Sequence, residues 1–222
     1  CLGTRPEIIK MAPVYRSLRE RGQTVHILHT GQHDDMAQAL YRFFGMQPDF
    51  DMQLTRQVPS LSNLTAELMQ GIDQQLALAR PDVLMVQGDT SSAFAGAMVG
   101  YLQQIPVAHI EAGLRTGQHD PFPEEKNREL IGKLARWHFP PTPQACTNLL
   151  QEGVPAGHVF EVGNTVIDSA LWVKRRIERE SRPTSMLPDV QAFLQGRLQR
   201  HVRTGFARKP TEYLQESLAR LV

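Results

Sequence analysis

The segment PDVLMVQGDTSSAFAGAMVGYLQQIPVAHIEAGLRT, residues 81–116, decides the fold class. It contains two apolar runs, residues 82–87 and 105–110, and both are typical of buried β-strands. These runs, a third one at 24–29 and shorter ones at 136–139 and 158–162 alternate with helical patterns from residue 1 to about residue 180. This alternation predicts an α/β fold in which helices cover both faces of a parallel sheet.

Three acidic residues are predicted to meet at one edge of this sheet. Asp89 and Glu111 each follow one of the two apolar runs, and Glu124 opens a helix-like stretch after Pro123. The ends of successive strands in an open parallel sheet converge on the edge where ligands bind. Carboxylates in such a place repel one another, so at least one is expected to hold a proton. We therefore predict acid–base chemistry for the three acids.

Each of these acids also has a structural explanation. Asp89 could cap the next helix, and Glu124 could complement the dipole of a first helical turn. Glu111 interrupts an apolar run, where a carboxylate is costly unless it is paired, and Arg115 or Arg128 could supply the partner. For the three acids together, function is the favoured interpretation.

A strand-to-helix turn lies in GTRPEIIK, residues 3–10. Pro6 suits the first helical position, which places Arg5 at the mouth of the helix and Lys10 about one turn inside it. Cations there oppose the helix dipole unless an anion lies between them, and a phosphate would be that anion. The alternative is a pair of solvated cations with Glu7 as their partner.

Composition and charge argue against several classes of function. The chain has 222 residues and a net charge of +1, which gives no bias toward nucleic acid or membrane. No apolar run approaches the roughly 20 residues of a membrane span. The two cysteines fit a reducing cytosol, and the eight histidines follow no metal-ligand spacing. We assign no cofactor and no metal, and His109, inside an apolar strand, is interpreted as a hydrogen-bonded core residue.

The chain is predicted to divide near residue 180. Residues 1–180 form one domain, and residues 181–222 form a linker and the degenerate start of a second domain. Basic residues without acids fill residues 195–209, where a solvated, poorly folded end is favoured over an anion-binding patch. Because most of a first strand and the initiator methionine are missing, the chain is interpreted as a fragment.

Several motifs in the same order resemble those of the non-hydrolysing UDP-N-acetylglucosamine 2-epimerases. They are GTRPEIIKMAP at residues 3–13, GQH at 31–33, GDT at 88–90, HIEAGLRT at 109–116, PEEKNR at 123–128 and GNTVID at 163–168. The resemblance covers residue 1 to about residue 175. It implies a Rossmann-like domain, the N-terminal half of a GT-B-like two-domain fold. It also implies a cytoplasmic isomerase of cell-envelope polysaccharide biosynthesis that interconverts UDP-GlcNAc and UDP-ManNAc by eliminating and re-adding UDP.

The resemblance implies roles for individual residues as well. The family's catalytic acids, its phosphate and substrate contacts, and a residue that supports the site all have counterparts in this chain. The catalytic acids correspond to Asp89, Glu111 and Glu124. The phosphate and substrate contacts correspond to Arg5 and Lys10, and the supporting residue corresponds to Arg128.

A regulatory site is also implied. Gln32 and His33 match the edge of the pocket where bacterial members bind a second UDP-GlcNAc. Asp34 and Asp35 depart from the Arg and the Glu or Gln that many relatives carry, which argues against the same regulation here.

The segment after residue 190 departs from the family pattern. The family's second domain opens with Thr-Gly-His-Arg-Arg-Glu, whereas residues 204–209 read TGFARK, with Phe206 in the histidine position. We therefore expect little or no epimerase activity from this chain alone. The resemblance also implies a homodimer for the intact enzyme. Two other hypotheses stay open: a non-catalytic remnant that binds a ligand or partner, and the hydrolysing branch, which releases ManNAc and UDP.

Overall fold

The computed structural model describes residues 1–32, 36–52, 54 and 60–179 of the chain. The chain divides into two compact units, Cys1–Thr165 and Val166–Val222. The predicted linker at residues 181–222 and Phe206 therefore lie outside the described residues. No helix of the described part is both long and apolar enough to cross a membrane.

Helices and short strands alternate along the described residues. In chain order they are α1 (Arg5–Glu20), β1 (Leu28–His29), α2 (Ala37–Phe44), β2 (Phe50–Asp51), α3 (Leu61–Ala79), β3 (Leu84–Gln87), α4 (Ser91–Leu102), β4 (Val107–Ile110), α5 (Glu124–Leu134), β5 (Trp137–Phe139), α6 (Pro143–Gln151) and α7 (Thr165–Arg179).

All strand pairings of these elements are parallel. Strand β1 pairs with β2, and a second sheet has the order β3-β4-β5. The register places Leu84 opposite Val107 and Ala108 opposite Trp137. Parallel strands with helices between them confirm the predicted α/β class.

Two of the predicted strands are shorter in the structure than their apolar runs indicate. Residues 24–27 were expected in a strand, but the Ile27 amide donates to the Asp49 carboxylate at 2.7 Å. The expected strand at 158–162 is replaced by a 3₁₀ turn at Ala156–His158 and one isolated bridge from His138 to Val159. The parallel pairing of the strands is as predicted, but the strand bounds predicted from the apolar runs are too wide.

Helix α4 fixes the position of the edge where β3 and β4 end. It packs against α3, α5 and both of these strands, and most of its residues are buried. Gly100 permits this close approach, because a Cβ there would lie 2.8 Å from Val107 Cγ2. The Thr90 side chain caps the helix by accepting from the Ala93 amide at 3.0 Å. The turn between β3 and α4, which contains Asp89, is therefore anchored at both ends.

Candidate active site

Glu111 lies directly after β4 and accepts hydrogen bonds at both carboxylate oxygens. Its Oε2 accepts from Lys10 Nζ and from Gln87 Nε2, each at 2.5 Å. Its Oε1 accepts from Asn164 Nδ2 at 3.0 Å. The cation paired with Glu111 is therefore Lys10, so the expected pairing with Arg115 or Arg128 is wrong.

The two arginines are engaged elsewhere. Arg115 makes a bidentate ion pair with Glu152, with Nε and Nη2 at 2.7 and 2.8 Å from its oxygens. Arg128 Nη2 lies 2.6 Å from Asp89 Oδ2. The site thus contains two separate acid–cation pairs, Lys10 with Glu111 and Arg128 with Asp89.

The backbone of Glu111 is unusual. Its φ of 63° lies in the left-handed region, although Glu111 is not a glycine. For an L-residue this conformation costs roughly 1–2 kcal/mol. The main chain is held there because the Glu111 amide donates to Phe139 O at 3.0 Å. Residues kept in such conformations concentrate at functional sites, which supports a role for this side chain.

Asp89 is half-buried beside the other acids. Thr90, rather than Asp89, caps α4, so the proposed capping role of Asp89 is wrong. Burial raises the pKa of Asp89, and Glu111 and Glu124 raise it further, against the opposing effect of Arg128. The effects of Glu111 and Glu124 have the direction expected for clustered carboxylates, but burial is the larger cause of the raised pKa.

Helix α5 presents two adjacent acids, of which the sequence analysis selected one. Glu124 is its first residue and is half-buried near enough to Asp89 to raise the pKa of that group. Glu125 is fully buried, and its Oε1 accepts from the amides of Thr116 and Gly117 at 2.9 and 3.2 Å. Although burial raises the pKa of Glu125, these hydrogen bonds and Arg128 outweigh burial and lower it.

Glu125 also supports the second acid–cation pair. Its Oε2 lies 3.3 Å from Arg128 Nη1. Asn127 Nδ2 donates to the carbonyl oxygen of Asp89 at 2.9 Å. The i,i+3 spacing of Glu125 and Arg128 in the sequence was the available signal for this contact.

The turn into α1 is built around a buried acid. Glu7 accepts from the Gly3 amide at 2.9 Å and from Thr90 Oγ1 at 2.8 Å. Burial raises its pKa, against the lowering effect of these bonds. Glu7 is therefore engaged with the turn rather than with the two cations, so its suggested role as their partner is wrong. Arg5 lies half-buried near the same helix end, 3.7 Å from Met36 Sδ.

Gln32 reaches the same edge from the turn after β1. Its Oε1 accepts from the Ser92 amide at 2.9 Å and from Ser92 Oγ at 2.6 Å, at the start of α4. His33, Asp34 and Asp35 lie outside the described residues.

His109 belongs to the interior rather than to the site. Its Nε2 lies 2.7 Å from the Gly88 carbonyl oxygen, and burial lowers its pKa to about 3. The prediction of a hydrogen-bonded core histidine is confirmed.

Proton-transfer groups and cations thus share one edge of a parallel α/β sheet. Of the predicted residues, Lys10 contacts Glu111 and Arg128 contacts Asp89, while Glu124 influences Asp89 through its charge. Gln87, Asn164 and Glu125 join them, although the sequence analysis did not select these three. Two carboxylates and two cations are therefore in direct contact at this edge, and these are the kinds of group that acid–base chemistry on an anionic ligand requires.

The family model described as UDP-N-acetylglucosamine 2-epimerase matches residues 16–221, so the chain belongs to the UDP-N-acetylglucosamine 2-epimerase family. The UDP-N-acetylglucosamine 2-epimerase of Yersinia pestis is 39% identical over 209 residues, which are 93% of this chain and 56% of that protein. This agreement confirms the family suggested by the motifs.

Solved structures support the same conclusion. The UDP-GlcNAc 2-epimerase of Neisseria meningitidis bound to UDP-GlcNAc gives a TM-score of 0.78 at 38% identity, over 81% of this chain and 49% of that one. The Methanocaldococcus jannaschii UDP-GlcNAc 2-epimerase in complex with UDP-GlcNAc and UDP gives 0.76 at 35% identity, over 87% and 52%. The predicted fold class is confirmed, and the chain spans about half the length of the relatives it matches.

Proposed function

We propose that the protein acts on UDP-GlcNAc and interconverts it with UDP-ManNAc. The observation that carries the proposal is the pair of acid–cation contacts at one sheet edge, Glu111 with Lys10 and Asp89 with Arg128. Inversion at C2 of the sugar needs proton-transfer groups, and departure of UDP needs cations for its diphosphate. The site offers both in direct contact, because each of the two acids lies within hydrogen-bond distance of a cation.

The proposed reaction has two halves. A base takes the C2 proton, the electrons of the C–H bond form the C1=C2 double bond, and the C1–O bond breaks so that UDP leaves. The acetamidoglucal then receives a proton on the opposite face of C2, and UDP oxygen bonds to C1 again. Asp89, Glu111 and Glu124 are the proposed acid–base groups for these transfers.

The proposed diphosphate contacts are Arg5, Lys10 and the N-terminus of α1. Preorganised donors aimed at developing charge are an effective means of stabilising a leaving group. Arg128 is proposed as a positioning residue, because it contacts Asp89 at 2.6 Å.

Product analysis in D₂O tests the proposal. The protein is incubated at high concentration with UDP-GlcNAc, and nucleotide sugars are followed by proton NMR. We expect slow formation of UDP-ManNAc carrying deuterium at C2, and about a hundredfold loss of this signal in Glu111→Gln. Free ManNAc with UDP would instead indicate the hydrolysing reaction.

A second candidate is ligand binding without turnover. The relatives that these 222 residues match are about twice as long, so ligand binding by the 222 residues is tested separately from turnover. Saturable heat with UDP or UDP-GlcNAc, together with no product after prolonged incubation, would support this candidate. Turnover at rates normal for an enzyme would contradict the expectation of little activity from the chain alone.

The remaining expectations belong to the same proposal. We propose a cytoplasmic location, which the two free thiols of Cys1 and Cys146 support, a homodimeric intact enzyme, and no binding of nucleic acid. We also keep the domain boundary near residue 180 and a regulatory role for Gln32 and His33. Limited proteolysis tests the boundary, and sedimentation tests the oligomer.

A further inference from the structure

The Glu111 carboxylate has two kinds of partner. Lys10 carries a charge, whereas Gln87 and Asn164 are neutral amides. Lys10 and Gln87 donate to the same oxygen, and Asn164 donates to the other one. Removal of the cation would therefore leave one neutral donor on each oxygen.

Lys10, the charged partner, is also one that a ligand can reach. The Lys10 side chain is 23% exposed and the Glu111 side chain is 13% exposed, whereas Gln87 is buried. A lysine ammonium lies at the end of a flexible stem with three rotatable donors, so it can change partners at low cost. The backbone of Gln87 is held in place by the sheet, because Gln87 is the last residue of β3 and pairs with Ile110.

The surroundings of Glu111 favour such an exchange. Lys10 from α1 pairs with Glu111, and Asp89, in the turn after β3, is close enough that the charge of Glu111 raises the pKa of Asp89. A diphosphate carries more charge than one carboxylate and accepts strong charge-assisted hydrogen bonds. Lys10 would therefore bind it in preference to Glu111.

We propose that an incoming diphosphate takes Lys10 from Glu111, while Gln87 and Asn164 keep the released carboxylate in place. This inference rests on the proposed function, because the diphosphate is that of a UDP-sugar. Glu111 Oε2 would thus be released from the cation only when ligand is bound, and in an unchanged position.

A double-mutant cycle on UDP affinity tests the exchange. Binding of UDP to the wild-type chain has to break the ion pair, so Glu111→Gln should bind UDP about fivefold more tightly. Part of this gain comes from removing a negative charge near a diphosphate. Glu124→Gln measures that part, since it removes a charge at the same edge without touching the Lys10 pair. In a Lys10→Met background, the effect of Glu111→Gln should shrink to the effect of Glu124→Gln.

Isothermal titration calorimetry with UDP reports these affinities, and thermal unfolding checks that each variant is folded. An equal effect of Glu111→Gln with and without Lys10 would overturn the inference while leaving the proposed function intact. Absence of binding heat from the wild-type chain would contradict both the exchange and the proposed function. A crystal structure of the UDP complex gives an independent measurement. We expect Lys10 Nζ on a phosphate oxygen and Gln87 still on Glu111, and an intact Lys10–Glu111 pair would refute the exchange.

Discussion

Substitution of Glu111 by glycine should give a more stable protein than substitution by alanine. Both variants lose the bonds to Lys10, Gln87 and Asn164, so their difference isolates the backbone. At a φ of 63°, an L-residue costs roughly 1–2 kcal/mol that glycine does not. Glycine loses about 0.5–1 kcal/mol more chain entropy on folding than alanine does. The balance favours Glu111→Gly by about 0.5–1 kcal/mol.

Guanidinium unfolding of the two variants measures this difference, with thermal unfolding shifted by about 2 °C in the same direction. The neighbouring Ala112 is buried and does not have a positive φ, so Ala112→Gly is the matched control and should be destabilised. A Glu111→Gly variant less stable than Glu111→Ala would refute the reasoning, since it would mean that the left-handed backbone stores no strain. The expected result would show that Glu111 is kept for its side chain at a cost in stability.

Three further predictions concern the surroundings of the site. Arg128→Met removes the cation 2.6 Å from Asp89, so the pKa of Asp89 should rise further, as measured by carboxyl NMR titration; an unchanged value would contradict the contact. The folded state lowers the pKa of Glu125, so the ionised carboxylate stabilises the protein at pH values above the unfolded-state pKa near 4.5. This stabilisation is lost as the pH falls through the folded-state pKa. In denaturant titrations, the difference in unfolding free energy between wild type and Glu125→Gln should therefore disappear in acid. Gly3→Ala would place a Cβ 2.1 Å from Ser92 Oγ, so it should lower the free energy of unfolding by about 1–3 kcal/mol, and an unchanged thermal midpoint would contradict the packing.

The sequence was sufficient to predict the architecture around the site. The runs at residues 82–87 and 105–110 have apolar side chains on both faces, which is typical of a covered parallel sheet, and β3 and β4 lie within them. Topology then brings Asp89 and Glu111 to one edge without further information. Strand bounds were less predictable, because the Ile27 amide just before β1 donates to the carboxylate of Asp49, a residue that local sequence does not connect with β1.

The pairings within the site could not be predicted in the same way. Lys10 and Glu111 are 101 positions apart, so their contact depends on how α1 packs, whereas Arg115 looked suitable only because it is close in sequence. Glu124 and Glu125 differ by one position, and the phase of α5 decides which of them is buried. Such details depend on tertiary packing rather than on local pattern.

The central claim is that this sheet edge binds the diphosphate of a UDP-sugar. Calorimetric titration of the 222-residue chain with UDP tests it most directly. We predict saturable heat, with affinity about tenfold weaker in Lys10→Met and unchanged in Lys126→Met, which breaks an exposed ion pair with Glu129 instead. No heat from the wild-type chain, or equal affinity in wild type and Lys10→Met, would contradict the claim.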